Sequence, residues 1–244
     1  MGIDLTTLEA ICKSIKYIEK REKVLTLGRQ GNHTHMVDIN NIFDKYNLSH
    51  LKNKYEWGYC EPFLYDLGFI VIDSLDVSSY EQASIIHDMN LPIPENSKKY
   101  NFILDGGTTE HIFNTPQCYE NIINLLEIDG ILVSVIPNNN LSGHGFYQFS
   151  PEFFLSMFDI AYGMEVLELY IANVGSTFDK WMNVNDFNHN NGGRNINKFN
   201  STDHVYIIAI SKKITNERKS LITHSPFQYS YKNIEWKKLA GVFE

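Results

Sequence analysis

Short, nearly unbroken apolar runs alternate along this chain with segments of helical period, and several of the runs stop at a glycine or an acid. That alternation leaves few folds open. A strand read as continuous apolar residues is buried on both faces, and a helix between two such strands must cross over from one to the next. A mainly parallel sheet covered on both faces by helices is therefore predicted. The strand-like runs are Lys23–Leu27 closed by Gly28, Phe69–Leu75 closed by Asp76, and Ser84–His87 closed by Asp88. Tyr100–Leu104 follows, closed by Asp105-Gly106-Gly107, then Ile131–Ile136 after an Asp129-Gly130 turn, and finally Val166–Ile171 and Val205–Ile210. An amino-terminal helix over about 5–21 puts Leu8, Ile11, Cys12, Ile15 and Ile18 on one face. Further helices are predicted over Asp38–Tyr46, Pro116–Glu127 and Ser150–Phe158, two of them with proline near the start, where a missing N–H costs little.

The 244 residues, 43% of them hydrophobic, suit a single domain spanning 1–244. Asn173–Thr202, polar and rich in Asn and Gly, is a long stretch that reads equally as a lid or substrate loop or as plain disorder. A tail over 212–244 carries Tyr229, Tyr231 and Trp236, which could dock on the body or on a second copy in a homodimer. No apolar stretch reaches 18 residues, so no membrane span is expected, and the start of the chain lacks a basic-then-apolar signal pattern. Three scattered cysteines, Cys12, Cys60 and Cys118, suit free thiols in a reducing cytoplasm better than a disulfide framework. A net charge of −8 argues against nucleic acid, whose binders draw most of their affinity from phosphate neutralisation. A small molecule is the expected partner.

In an open parallel sheet, ligands sit at the carboxyl ends of the strands, where the connection order reverses. Gly28, Asp76, Asp88 and Asp105-Gly106 all fall at that edge. A glycine there admits a ligand close to the backbone, an acid after the second strand can accept both hydroxyls of a ribose, and Asp88 can accept the amino group of an adenine. Each acid alone is more often a turn cap; their order along the chain says more.

Residues 23–158 resemble the class I S-adenosylmethionine (SAM)-dependent methyltransferases with a Rossmann-like sheet. Val24-Leu-Thr-Leu-Gly-Arg-Gln30 is similar to their first motif, Asp76-Val-Ser78 to the ribose-binding strand end, and His87-Asp88-Met-Asn90 to the adenine-side motif. Tyr100–Phe113 resembles the fourth motif, and Leu126-Glu-Ile-Asp-Gly-Ile-Leu132 the entry to the fifth strand. The resemblance implies a seven-stranded sheet with its last strand antiparallel, SAM as cofactor, and a cofactor site built from Gly28, Gln30, Asp76, Val77, Asp88, Met89, Asp105, Gly106 and Gly107. Two departures stand out. Thr26 takes the place of an acid and Arg29 and Gln30 fill glycine-like positions, so Gln30 or backbone would hold the methionine end. The long interval from Gly28 to Asp76 also demands an insertion, one that could cover the cofactor, and leaves Asp73 as a second candidate for the ribose.

The turn Asp105-Gly-Gly-Thr is unlike the Asn/Asp-Pro-Pro-Tyr/Phe turn of methyltransferases acting on flat amide or base nitrogens, which points to a different acceptor. The loop Pro137–Ser150, leaving the fifth strand at the ligand edge, supplies polar and aromatic groups beside glycines. His144, Tyr147 and Gln148 are the expected catalytic residues, with His144 as general base or acceptor anchor, and His111, Asn138 and Asn140 the expected substrate contacts. A sugar, nucleotide-sugar or other cell-envelope precursor suits so polar a surface. His33, His35, Glu110 and His111 show no His-x3-His or carboxylate triad at ligand spacing, so no metal is expected. The rival readings are a silent SAM-fold scaffold and a nicotinamide-dependent oxidoreductase, the latter disfavoured by the missing phosphate-binding glycine pattern.

Overall fold

A computed structural model describes residues 2–34, 36–184, 199 and 201–227. In chain order the strands are β1 (Gly2–Ile3), β2 (Lys23–Leu27), β3 (Gly31–Asn32), β4 (Gly58–Tyr59), β5 (Val71–Asp76), β6 (Ile85–Ile86), β7 (Tyr100–Asp105), β8 (Leu126–Asn139), β9 (Met164–Asn173), β10 (Met182–Asn183) and β11 (Val205–Lys213). The α-helices are α1 (Leu5–Ser14), α2 (Met36–Lys45), α3 (Glu61–Asp66), α4 (Thr115–Leu125) and α5 (Pro151–Met157). Eight strands form one sheet in the order β10-β9-β11-β8-β7-β2-β5-β6. β6, β5, β2, β7 and β8 run parallel, and β11 lies between β8 and β9, antiparallel to both.

The apolar runs give parallel strands because both of their faces are covered. One core layer joins Leu8, Ile11, Phe43, Phe63 and Phe69 to the face of the sheet that carries Val24, Phe102 and Val133. The opposite layer joins Tyr119, Ile122, Phe154 and Phe158 to Leu25, Ile103 and Leu132. At the start of α1, Asp4 accepts a hydrogen bond from the Thr7 N–H at 2.8 Å, satisfying one donor that the first helical turn would leave unpaired. Pro116 and Pro151 open α4 and α5, as their fixed φ suits the first turn.

Several expectations are corrected. Asp129-Gly130 is not a turn before a strand; it lies inside the 14-residue β8, where Asp129 takes φ +66° and the pairing with β7 shifts register. A side chain at Gly130 would come within 2.8 Å of the Glu127 carbonyl, so the local bend requires glycine. The third strand shrinks to two residues, and Glu110-His111 belong to a separate turn of 3₁₀ helix before α4. The insertion folds as α2, α3 and the strands β3 and β4, which join the amino-terminal β1 in a small sheet beside α1. The stretch beginning at Asn173 is structured in its first part: Phe178 and Trp181 pack edge-on with each other and against Tyr170, and β10 pairs with β9. The remainder of the expected lid, 185–198 and 200, lies outside the described residues, as does the tail from 228 with its Tyr229, Tyr231 and Trp236. Residues 214–227 cross the body; Arg218 makes paired contacts to Glu120 at 2.9 and 3.0 Å, and Leu221 is buried. Among the described residues no helix is long and apolar enough to cross a membrane. All three cysteines are free and buried.

Glu168 on β9 shows how a charge survives beneath this surface. Its burial opposes ionisation, but hydrogen bonds from Lys16, Tyr17, Tyr170 and Lys13 outweigh it and hold the carboxyl at about 2. The unfolded chain therefore binds the extra proton between about pH 4.5 and 2, and the stability from this group is complete above that window and lost as pH falls through it. Glu168→Gln should cost about 1–3 kcal/mol at neutral pH, the price of leaving buried partners poorly matched. Denaturant titrations should show the gap from wild type narrowing only below pH 4.5; a gap that is flat down to pH 2 would contradict this assignment.

Candidate functional site

At the carboxyl edge of the sheet, a cavity of about 190 Å³ opens over the ends of β2, β5 and β7. Leu27, Leu75, Val77, Met89 and Ile112 supply apolar walls, while Asp76, His87, Asp88, Asn90, Thr108 and His111 supply the polar rim. Parallel strands place this edge: Leu27 is in register with both Leu75 and Asp105, so three loops leave the sheet side by side. Gly28, at φ +68°, turns the chain sharply away and donates its N–H to the Leu75 carbonyl at 2.7 Å.

Asp76 reaches the cavity and Asp73 does not. One Asp76 oxygen accepts the Ser78 N–H at 3.0 Å, and the other has no partner among the described residues. Asp73 sits three residues back, where Lys98 and Tyr100 occupy one of its oxygens at 2.7 and 2.9 Å. Asp88 accepts from the backbone and side chain of Asn90, which lower its pKa and fix the turn whose Met89 side chain is buried under the cavity. Among the described residues the insertion contributes nothing to the lining, so it buttresses the first loop instead of covering the cavity. It does so through Arg29, which pairs with Glu61 at 2.6 Å and stacks on Tyr59, and through the Cys60 N–H bonded to the Gln30 carbonyl.

Gln30 is wholly buried beside Gly106. Its amide nitrogen donates to the Leu27 carbonyl at 2.6 Å, while its amide oxygen is buried with no partner, 3.0 Å from where a Cβ on Gly106 would stand. Asp105 turns inward, away from the cavity. Its carboxylate accepts from the Thr108 and Thr109 N–H groups and from the Thr109 hydroxyl, and burial pushes its pKa up to about 6. Asp105 therefore shapes the turn from a wholly buried position.

On the acceptor side four of the expected residues make hydrogen bonds to the protein's own backbone. Gln148 accepts the Leu141 N–H at 2.9 Å, Tyr147 donates to the Phe113 carbonyl at 2.8 Å, and Asn138 donates to the Phe149 carbonyl at 2.7 Å. Asn140 ties the loop to the Ser201 and Asp203 carbonyls. These four hold the Pro137–Ser150 loop in shape. His144 stays half exposed, and its ring meets His111 edge-on with centroids 4.9 Å apart. Its Nε2 lies 3.4 Å from Glu110 Oε1; His111 Nε2 lies 3.7 Å from the same oxygen. Glu110 is completely buried. Burial, and then the charge of Asp105, push its pKa up to about 8, while burial and then His144 lower that of His111. His33 packs against Trp57 instead, and His35 lies outside the described residues.

An eighth strand, β10, is added at one edge, but the other seven are those the resemblance implied, with the last one in sequence reversed and threaded between β8 and β9. The fold is that of the class I SAM-dependent methyltransferases. No family model and no curated protein matches the sequence. Solved structures that align with it include a TehB-like SAM-dependent methyltransferase from Corynebacterium glutamicum, at 14% identity over 87% of this chain and 90% of that one, TM-score 0.46. A SAM-dependent methyltransferase from Aquifex aeolicus aligns at 12% identity over 85% and 90%, TM-score 0.45. An O-methyltransferase of Brevibacillus brevis, solved with S-adenosyl-L-homocysteine, aligns at 14% identity over 83% and 71%, TM-score 0.43.

Proposed function

We propose that this protein is a SAM-dependent methyltransferase that acts on an oxygen of a small polar acceptor such as a sugar, nucleotide-sugar or other cell-envelope precursor. The observation that carries the reading is the cavity itself: Asp76, Val77, Asp88 and Met89 come from two separate strand-end turns and line one space together with Thr108 and His111. Asp76, with an oxygen to spare, would hold a ribose diol; the Asp88 turn and the walls formed by Leu75, Met89 and Ile112 would take a flat purine. The unpartnered Gln30 oxygen next to Gly106 fits the amino group of a methionine chain, and a buried acceptor without a donor is otherwise costly. Bound there, SAM supplies a methyl carbon on a positively charged sulfur, a good leaving group for an aligned oxygen nucleophile.

What the chain adds is alignment and control of the acceptor's proton. His144 is the group we place against that oxygen, with Glu110 buried behind it at 3.4 Å, since His111 brings their cluster to the rim of the cavity. Tyr147 and Gln148 support them by fixing the loop that carries His144.

Calorimetry with S-adenosylhomocysteine tests the cofactor half of this reading. Asp76→Ala should weaken binding by about 1–3 kcal/mol, the cost of leaving ribose hydroxyls unmatched. Asp73→Ala should leave it unchanged, because Lys98 and Tyr100 already occupy that side chain. A wild-type protein that binds NAD but neither SAM nor adenosylhomocysteine would overturn it.

A further inference from the structure

Glu110 is buried with neither carboxylate oxygen hydrogen-bonded, which is an expensive arrangement unless something else satisfies it. The backbone has been shaped to make room for this side chain. Gly107 takes φ +87°, and a Cβ there would lie 3.2 Å from Glu110 Oε1. Gly145 takes φ +74°, and a Cβ there would lie 2.8 Å from the Glu110 carbonyl and 2.9 Å from its Cγ. Two separate loops are also pinned to one another here, since the Phe146 and Tyr147 N–H groups both donate to the Glu110 carbonyl, at 2.7 and 3.2 Å. The pinning brings His144 beside His111, so that one ligand atom from each of Glu110, His111 and His144 lies within 4.8 Å of the other two.

Two imidazoles and one carboxylate form a donor set for a divalent transition metal, which such triads bind while keeping further coordination positions open. Magnesium or calcium would ask for more oxygens than this cluster offers. We propose that Glu110, His111 and His144 bind one divalent transition-metal ion of the zinc class, next to the cofactor cavity, with an open position for a hydroxyl of the acceptor. The ion satisfies the stranded carboxylate, and a hydroxyl coordinated to it loses its proton far more readily than a free one. That role rests on the methyl-transfer reading; binding of the ion does not. Ligand spacing in the sequence concealed the site, because Glu110-His111 and His144 are brought together only by the pairing of two loops.

The test uses untagged protein stripped with a chelator, then titrated with CoCl₂, ZnCl₂ or MgCl₂ by calorimetry and, for cobalt, by visible absorption. One equivalent of cobalt should bind with absorption bands of a low-symmetry site, zinc should displace it, and magnesium should not compete. His111→Ala/His144→Ala, altering two half-exposed side chains, should weaken cobalt and zinc binding by about 100-fold or more while melting like wild type. Glu110→Gln should do the same if it folds. Failure of wild type to bind cobalt or zinc, equal affinity in the double-histidine variant, or binding of magnesium alone would each overturn the proposal. Adenosylhomocysteine affinity measured on the same samples separates the two readings: cofactor binding without metal removes the ion alone, and metal binding without cofactor removes the methyl-transfer reading alone.

Discussion

Replacing His144 with glutamine is expected to lower turnover by about 10²–10⁴ while adenosylhomocysteine affinity stays within about twofold of wild type. Glutamine can accept or donate a hydrogen bond but neither takes up a proton near neutral pH nor replaces imidazole as a strong metal ligand. The side chain is half exposed in a loop already fastened by Gln148, Tyr147 and Asn138, so its loss should not disturb folding. The cavity at the strand ends is lined by His111 and not by His144, which is why binding and turnover should separate. Rates are to be followed as adenosylhomocysteine release across sugars, nucleotide-sugars and related hydroxylated precursors. A variant with wild-type turnover on an acceptor that the wild type methylates would take His144 out of the mechanism. A raised acceptor KM at unchanged kcat would reduce it to an anchor.

The second large effect is expected far from solvent. Tyr119 on α4 is fully buried among Phe149, Phe153 and Phe158, and its hydroxyl lies 3.2 Å from the Thr109 hydroxyl, which in turn donates to Asp105. Tyr119→Ala should cost about 3–5 kcal/mol, through lost burial and the cavity left behind. For a chain of this size that lowers the melting temperature by roughly 6–20 °C. Tyr119→Phe, which keeps the ring and loses only the hydroxyl, should cost about 1 kcal/mol. Similar losses for the two variants would show that the hydroxyl relay to Asp105, and not ring packing, is the stabilising element.

The sheet was legible in the sequence because both faces of a parallel strand are covered, so Val24–Leu27, Phe102–Leu104 and Ile131–Ile136 show as plain apolar runs. Asp76 and Asp88 were legible for a related reason: a strand end is a position along the chain, and a residue that terminates a run must lie at the edge. The acceptor side was not. Asn138, Asn140, Tyr147 and Gln148 have the right chemistry for binding substrate, but a loop must also satisfy its own backbone, and that claims them first. Asp105 ends a strand as Asp76 does, but its carboxylate accepts from two threonine N–H groups and makes a tight turn, a role its sequence position does not distinguish. Glu110 shows the opposite case. Nothing in its local sequence predicts total burial, which arises only when Gly145 lets a loop 35 residues further on close against it.

The reversed strand β11 has a bearing on how the chain is assembled. It is the last described strand in sequence, yet it fills an interior slot, hydrogen-bonded to β8 along one side and to β9 along the other. Until Val205–Lys213 has been synthesised, β9 and β10 have no ladder joining them to the rest of the sheet, and β8 presents a bare apolar edge. Open edges of this kind recruit strands from other molecules. A chain halted before residue 205 therefore has a folding liability that traces to the nine residues of one strand, and the sheet is completed by inserting a strand rather than by adding one at its margin.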